Sequence, residues 1–379
     1  MKRILLLTLL IGVAACNLFA QVELDNIQIH GFATQSALFS NVNNFAGMDT
    51  SSVNTSWTEA AINFNDQISN KLRVGVQFHL TRLGTFGDST PEVDWALGDY
   101  SVNRYLGIRG GKVKIRWGLY NDTQDFDPGY VWSLLPEPIY AIDWRSTNLS
   151  QYGVEFYGKL PMAKKYGEVR YSLYYGDYVM STADGYYEGY KESGYSFTST
   201  PIGKTPGVDI RYKTPLPGLM VGGSLMAYDG HANLTDGTFR NPLTYWPTGY
   251  VSYEHGKLSL AYQCDKLVAY TVATTSAGRS SNLSDQRAWF VMASYHITDK
   301  LQAGSYYTRL KNASLVESTA PGHFYDGVIS GRYDFNSNFY GKLEQHFIDG
   351  TGTGFYGINN PNGLKPNTKL TVAKLGFVF

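Results

Sequence analysis

Three basic residues in the first third of the chain have a spacing that suggests a shared chemical role. Lys112, Lys114 and Arg116 occupy every second position, and apolar residues fill the positions between them. Successive side chains of a β-strand point to opposite faces, so a period of two predicts a strand, here over 106–117. The pattern therefore places three cations on one face, where they could attract or orient anionic groups.

Two further basic residues could join this cationic face. Arg109 has the opposite parity, but a β-bulge at Gly110-Gly111 would absorb one residue and bring Arg109 into line. Arg73 lies on the polar face of a predicted strand over 71–83, which has the most regular alternation in the sequence. The candidate cationic residues are therefore Arg73, Arg109, Lys112, Lys114 and Arg116.

The segment 117–147 follows these cations and has no strand period. It is rich in aromatic residues and contains the acids Asp122, Asp125, Asp127 and Glu137. A loop this long within a compact domain is usually functional or disordered. Two proline-bounded apolar stretches, 128–135 and 136–142, favour a packed loop. Two interpretations follow: an acidic loop folded opposite the cations, or an exposed strand followed by a large surface loop.

The composition favours an all-β protein. The 379 residues include 30 Tyr and 40 Gly, only 17% are charged, and the net charge is zero, which gives no reason to expect a nucleic-acid partner. Residues 1–20 have the basic start and short apolar stretch of a signal peptide, with cleavage after Ala20 or, alternatively, lipoprotein-type cleavage before Cys16. Loss of Cys16 would leave Cys264 alone, without an intrachain disulfide. No later apolar run reaches the ~18 residues of a membrane helix, so any crossing must use strands.

Alternating segments along residues 21–379 predict sixteen strands. Their predicted ranges are 26–40, 56–68, 71–83, 92–102, 106–117, 148–160, 167–178, 207–213, 219–228, 248–254, 258–270, 286–296, 301–310, 324–334, 339–348 and 369–379. Seven short turns alternate with eight long polar loops: 41–55, 84–91, 117–147, 179–206, 229–247, 271–285, 311–323 and 349–368. This order predicts a single domain, a transmembrane antiparallel up-and-down β-barrel with periplasmic turns and extracellular loops.

The carboxyl-terminal strand carries the most specific resemblance to a known family. Thr371, Ala373, Leu375, Phe377 and Phe379 alternate up to the end of the chain. This ending resembles bacterial outer-membrane barrels, in which the terminal aromatic residue is recognised by the barrel-assembly machinery. The resemblance implies a location in the cell outer membrane of a Gram-negative bacterium, surrounded by its lipid, with Phe377 and Phe379 as the assembly signal.

Sixteen strands with the longest loop after the fifth also resemble the porins. In that family the third extracellular loop narrows the channel, which implies a constriction role for 117–147, and the assembly is commonly a homotrimer without a cofactor. Arg109-Gly-Gly-Lys-Val-Lys and Gly118-Leu-Tyr-Asn121 are similar to a motif of the phosphate-selective group. Arg116-Trp117 stands where that motif would have a proline, so the resemblance does not imply anion selectivity.

The charges and aromatic residues each leave two interpretations open. The cations and the acids Asp122, Asp125 and Asp127 could create a transverse field across a narrow gap, or could pair and tether the loop. Most Tyr and Trp residues are expected in the two interfacial girdles, whereas Tyr130 and Trp132 could instead form a sugar-stacking track.

No catalytic or metal-binding pattern is present in the sequence. The seven His residues lack the His-Glu-x-x-His spacing, the two cysteines are far apart, and no Gly-x-Ser-x-Gly elbow occurs. We therefore expect no enzyme activity, metal or cofactor. The leading hypothesis is an outer-membrane porin for passive diffusion of small hydrophilic solutes or ions. A barrel-based surface adhesin or receptor, and an outer-membrane hydrolase, are the alternatives.

Overall fold

The computed structural model describes residues 27–87, 89–162 and 166–379. The predicted signal peptide and both cleavage sites lie outside these residues. The strands are β1 Gln28–Ser40, β2 Asn54–Gln67, β3 Leu72–Leu83, β4 Glu92–Asn103, β5 Leu106–Lys114, β6 Ser150–Pro161, β7 Glu168–Val179, β8 Ile202–Lys204, β9 Gly207–Lys213, β10 Leu219–Leu234, β11 Gly237–His255, β12 Leu258–Thr275, β13 Gly278–His296, β14 Leu301–Asn312, β15 His323–Asp334, β16 Phe339–Gly350 and β17 Asn367–Val378.

These segments form one closed antiparallel sheet. Apart from β8 and β9, each strand pairs with its neighbours in sequence, and β1 closes the sheet by pairing with both β2 and β17. The short strands β8 and β9 both lie between β7 and β10, so they form one wall strand that is interrupted at Thr205-Pro206. Proline has no N–H for a ladder hydrogen bond, which explains the interruption. The seventeen segments therefore make a sixteen-stranded barrel, which confirms the predicted fold class.

The helices lie in the connections between strands. They are α1 Arg145–Asn148, α2 Gly185–Glu192 and the 3₁₀ turns Asp127–Gly129, Ile142–Trp144, Ala320–Gly322 and Gly357–Asn359. None of the helices in the described part of the chain combines the length and hydrophobicity needed to span a membrane.

The outer face of the barrel is apolar and the inner face carries buried polar groups. On β3, Phe78 is exposed whereas its neighbours Gln77 and His79 are buried. On β17, Leu375 is exposed whereas Lys374 is buried. Lipid requires an apolar outer surface, and the closed sheet satisfies its backbone groups internally. The alternation predicted from the sequence is thus confirmed in these strands.

Two predicted loops are largely strand. The expected loops 229–247 and 271–285 are extensions of β10–β13, which close in turns at 235–236 and 276–277. Ala232, Leu234, Phe239 and Ala273 form a buried cluster on these extensions, and aromatic residues of the connection between β7 and β8 cover it. The aromatic cover gives these extensions a buried apolar face. The prediction of polar loops did not anticipate this face.

The fifth strand also differs from its prediction. It ends at Lys114, and Ile115 and Trp117 beyond it are almost completely buried. The registers with β4 and β6 run without a shift through Gly110 and Gly111, so the predicted bulge is absent. Gly111 instead adopts a φ of +123°, and its pairing with the neighbouring strands continues in register. Arg109 and Lys112 therefore keep opposite parity.

Candidate functional site

The segment 115–149, between β5 and β6, contacts strands from several sides of the barrel. The Trp117 indole N–H donates to the carbonyl of Trp246 on β11 at 3.1 Å, and the Tyr140 hydroxyl donates to Gln263 on β12 at 2.7 Å. The Arg145 guanidinium donates to Asp94 on β4 at 2.6 Å. The segment therefore has hydrogen-bond partners on β4, β11 and β12.

One side of the segment is packed by apolar contacts. Trp117 lies 4.2 Å from Trp246 between ring centroids, and Trp132 lies 5.1 Å from Tyr306. The buried cluster has most of its wall residues on β10–β17: Met226, Phe290, Met292, Leu310, Phe324, Val328, Ile348, Leu370 and Val372. It also includes Leu38, Trp57, Leu83 and Tyr174 on β1, β2, β3 and β7. Complete burial of a large apolar side chain stabilises by about 1.5–3 kcal/mol, so these contacts hold the segment firmly against the wall.

Asp127 anchors the middle of the segment to the last two strands. Its carboxylate accepts hydrogen bonds from Lys342 Nζ at 2.9 Å, Lys374 Nζ at 2.7 Å and the Tyr340 hydroxyl at 2.7 Å. The two lysine side chains are 0% and 1% exposed. Burial alone would raise the pKa of the Asp127 carboxyl, but the two ammonium groups hold it well below its ordinary value.

A second anchor uses the backbone of the segment. The amides of Ser133 and Leu134 donate to the Glu344 carboxylate, both at 3.0 Å. His346 lies 3.0 Å from Glu344 through Nε2 and 2.7 Å from Asp326 through Nδ1, and all three side chains are buried. Paired hydrogen bonds to a buried carboxylate fix the segment in register with β16.

A third anchor lies on the opposite wall. Arg145 contacts His79 Nδ1 at 3.0 Å in addition to Asp94, and His79 Nε2 lies 2.9 Å from the Glu59 carboxylate. All four side chains are buried. Charged anchors therefore hold the segment on β2–β4 and on β15–β17, and apolar packing adds to them.

Eight charged residues form a continuous row of alternating sign on the wall around the start of the segment. In order, this charged row consists of Arg73, Asp99, Arg109, Glu155, Arg116, Asp122, Arg211 and Asp209. The nitrogen–oxygen distances between successive members are 3.3, 3.0, 2.9, 3.3, 3.7, 3.3 and 2.9 Å. The row crosses from β3 to β9 and passes through the segment at Arg116 and Asp122. Lys114 lies beside it and pairs with Asp125 at 2.6 Å.

In each of these pairs the cation is more exposed than its acid. The side chains of the five cations are between 17% and 45% exposed, whereas those of the acids are between 2% and 15% exposed. A cavity of about 310 Å³ beside the row is lined by four cations, Arg73, Arg109, Lys114 and Arg116, but by only two acids, Asp122 and Glu155. The cavity surface therefore has an excess of positive charge although the row as a whole is neutral.

Besides Asp127, the predicted site residues Lys112 and Glu137 lie apart from the row. The Lys112 ammonium donates to the carbonyl of Val93 and lies 5.4 Å from the ring centroid of Tyr152, an outer-face residue. The structure therefore places Lys112 beside Tyr152 and not at the cavity, which Lys114 lines two residues later at the end of β5. Glu137 is buried with no cation paired to it among the described residues; burial and the nearby Asp143 raise its pKa well above the ordinary value.

Several residues of the site were not singled out from the sequence. They are Glu59, His79, Asp94, Asp99, Arg145, Glu155, Asp209, Arg211, Asp326, Lys342, Glu344, His346 and Lys374. Lys342, Glu344 and His346 occupy every second position of β16, with Leu343 and Gln345 between them, so charged residues at strand spacing were the available signal. That signal indicates an inner face but not the partner across the barrel.

Known structures share the fold of this chain. OmpF of Salmonella typhi, solved with daunomycin, is 13% identical over 93% of this chain and 98% of its own, with a TM-score of 0.60. The outer-membrane channel DcaP of Acinetobacter baumannii is 10% identical over 93% and 97%, with a TM-score of 0.56. An anion-selective porin from Comamonas acidovorans is 10% identical over 93% and 99%, with a TM-score of 0.55. No protein-family model and no curated protein sequence matches the chain.

These likenesses concern architecture, since every identity is low. A closed sixteen-stranded antiparallel barrel with an apolar outer face is the architecture of outer-membrane proteins. The chain accordingly has the sixteen-stranded barrel fold of these outer-membrane porins.

Proposed function

We propose that this barrel is a passive diffusion channel for small hydrophilic solutes and ions, and that the segment 115–149 folds into its lumen as the constriction. The observation that carries the proposal is the cavity beside the charged row, where cations outnumber acids on the accessible surface. Transport through such a channel needs no cofactor and no catalytic residue, because the solute gradient supplies the driving force.

The position of the charged row supports a passage along one side of the segment. Apolar residues of the segment pack on the wall over much of β10–β17, where a cavity of about 230 Å³ remains. The wall over β3–β6 and β9 carries the charged row and the larger cavity of about 310 Å³. Water and polar solutes would therefore pass between the segment and this charged wall.

Pairing within the row does not cancel its effect on permeating ions. Each acid is shielded by its own cation, and the more exposed guanidinium and ammonium groups lie nearest to water in the cavity. An anion entering the cavity would meet the positive ends of several ion pairs at once. We therefore propose a modest preference for anions, largest at low ionic strength, because the screening length falls from ~10 Å at 0.1 M to ~3 Å at 1 M.

The test is the reversal potential of the purified protein in planar bilayers across a salt gradient. The variant Arg73→Gln/Lys114→Gln should shift the preference toward cations, and Asp122→Asn/Asp125→Asn should shift it toward anions. Lys112→Gln is the matched control, because Lys112 belongs to the same strand as Lys114 but does not line the cavity. It should retain the selectivity of the unmodified protein.

Each outcome bears on a different part of the proposal. Bilayers without conductance steps would contradict the channel itself and would favour the surface adhesin or receptor. Conductance with the same selectivity in all variants at low salt would mean that the cavity is not the constriction.

We also propose a homotrimer that forms through the outer face around β1. There, Thr58 donates to Gln35 at 2.8 Å and Thr371 donates to Gln345 at 2.7 Å. Beside them, a shallow outer groove of about 490 Å³ is lined partly by the small residues Ala37, Gly331, Gly341 and Ala373. Polar side chains facing lipid are unfavourable, so this face is better suited to another copy of the chain.

Light scattering of the detergent-purified protein should give the mass of three copies. Ala373→Trp fills the groove and should yield monomers. Val221→Trp, on the exposed outer face of β10, is the control and should remain trimeric. A monomeric unmodified protein would contradict this assembly.

A further inference from the structure

A second cavity lies at the end of the barrel that carries the long connections. It has a volume of about 330 Å³ and lies between α2, the connection 351–356 and the extended parts of β12 and β13. This size is within the range of small-molecule sites. It shares no lining residue with the cavity beside the charged row, so it is a separate feature.

Aromatic rings form one wall of this cavity. Trp144 lies 4.9 Å from Tyr186 between ring centroids, and Tyr186 lies 5.2 Å from Tyr190. The two tyrosines are four residues apart on α2 and therefore share a helix face. Asp184 caps this helix by accepting the amide hydrogens of Tyr186 and Tyr187 at 3.0 and 3.2 Å, which fixes the face toward the cavity.

The opposite wall provides uncharged polar groups. Asn282, Ser284 and Gln286 follow one another at strand spacing along β13 and all line the cavity. Thr351 and Thr353 also line it; both are more than nine-tenths buried, and their hydroxyls have no hydrogen-bond partner among the described residues. A buried hydroxyl without a partner costs free energy, which a ligand could recover by hydrogen bonding to it.

Charge is almost absent from the lining. Its one ionisable acid is Glu192, which already accepts the amide hydrogen of Ile358 at 2.9 Å, and no lysine or arginine lines the cavity. An anion would find no cation here, and a purely apolar ligand would leave the hydroxyls and amides unpaired. A sugar fits both walls, because the C–H face of its ring packs on aromatic rings while its hydroxyls pair with amides and hydroxyls.

We infer that this cavity is a binding site for a neutral oligosaccharide. Its place in transport rests on the proposed channel, since a site at the mouth would concentrate the sugar ahead of the constriction. Binding itself does not depend on transport. The two claims can therefore be tested separately on the same protein.

The binding test uses the folded barrel in detergent, titrated with maltotriose, cellotriose and raffinose by calorimetry and tryptophan fluorescence. At least one should bind in the millimolar range or tighter. Trp144→Ala should weaken that binding by about tenfold or more, as expected for loss of an aromatic contact surface. If none of the three sugars bound to the unmodified protein, the inference would be wrong.

Thr351→Val/Thr353→Val separates binding from folding. Replacing unpaired buried hydroxyls with methyl groups should leave the unfolding temperature unchanged or raise it, while sugar affinity falls by several-fold. Thr248→Val is the matched control, because its hydroxyl is also buried without a described partner but lies outside this cavity. Sugar affinity unchanged in the double variant and in Trp144→Ala would overturn the assignment.

Current recordings complete the test. The sugar that binds should reduce the ion current of the unmodified channel, and the reduction should be smaller in Trp144→Ala. Conductance without sugar binding would contradict the proposed sugar site and leave the channel proposal intact. Sugar binding by a barrel without conductance would support the sugar site, contradict the channel proposal and indicate a surface receptor.

Discussion

Replacing Asp127 with Asn should loosen the whole 115–149 segment without breaking the barrel wall. Asp127 is the common partner of two lysines on β16 and β17 that have no other carboxylate within salt-bridge distance among the described residues. The neutral amide would leave both buried ammonium groups without a directly paired carboxylate. Removal of one partner from a buried ion pair typically costs about 3–5 kcal/mol.

Remaining contacts suggest the lower part of that range. Lys342 would keep its hydrogen bond to the carbonyl of Trp132 at 2.8 Å, and Lys374 would keep its contact with the Trp57 ring at 3.8 Å from the centroid. We therefore expect a loss of about 3 kcal/mol in the free energy that holds the segment, which is a factor of roughly a hundred in its detached population.

Two measurements would detect this change. Urea unfolding followed by tryptophan fluorescence should show an earlier transition, because three tryptophans of the segment leave their packed environment. Single-channel currents should become noisier. Asp285→Asn is the control, because Asp285 pairs with Arg287 and Lys266 at the surface and should have an effect of less than about 1 kcal/mol.

A compensating change makes the argument refutable. In the Asp127→Asn background, Lys374→Met removes one unpaired buried charge and should recover part of the lost stability. If Asp127→Asn matched the unmodified protein in both the urea transition and the current noise, the pairing would not hold the segment.

Three further outcomes are expected. Burial raises the pKa of Asp184 to about 7, so between pH 3.8 and about 7 the folded state retains a proton that the unfolded state loses. The stability of the loop containing α2, measured by protease sensitivity, should therefore fall as pH rises through this range. Asp184→Asn should flatten this dependence. Phe379 closes the barrel through paired backbone bonds with Gly31 at 3.0 and 3.1 Å, so its deletion should lower the amount of heat-modifiable barrel in the outer membrane. Cysteines introduced within 179–206 or 311–323 should be labelled in intact cells, whereas cysteines at Asn70 or Thr298 should not; the reverse pattern would invert the orientation.

The sequence was sufficient for the wall of the barrel. The alternation over β3 and β17 and the regular exchange of short and long connections predicted sixteen antiparallel strands, and the structure confirms them. This succeeds because side-chain parity in a membrane barrel is set by lipid on one side and water on the other. The strand bounds were predicted wrongly where side chains face neither lipid nor water. In the extensions of β10–β13, apolar residues are covered by another loop.

Local periodicity was less informative at the end of β5. Val113, Ile115 and Trp117 have the spacing of a lipid-facing strand, but all three are buried, and the strand ends between them. Trp117 is buried by Trp246, a residue far away in sequence. Lys112 was grouped with Lys114 by the same period of two, but only Lys114 reaches the cavity. The bulge predicted at Gly110-Gly111 to bring Arg109 into line with these cations does not form.

The partners of the acidic residues could not be read from the sequence, because pairing across a barrel has no local signature. Asp127 was expected opposite the cations of β5, but the structure pairs it with Lys342 and Lys374 at the far end of the chain. This distribution of partners means that the tether and the transverse field are not competing interpretations. Charges that are fully buried, such as those around Asp127, can only hold the segment in place. The cations of the row remain partly exposed, so they both pair with Asp122 and present positive groups to the cavity. Because the segment is fixed in place, these charges keep a constant orientation, and this orientation sets the direction of the proposed field.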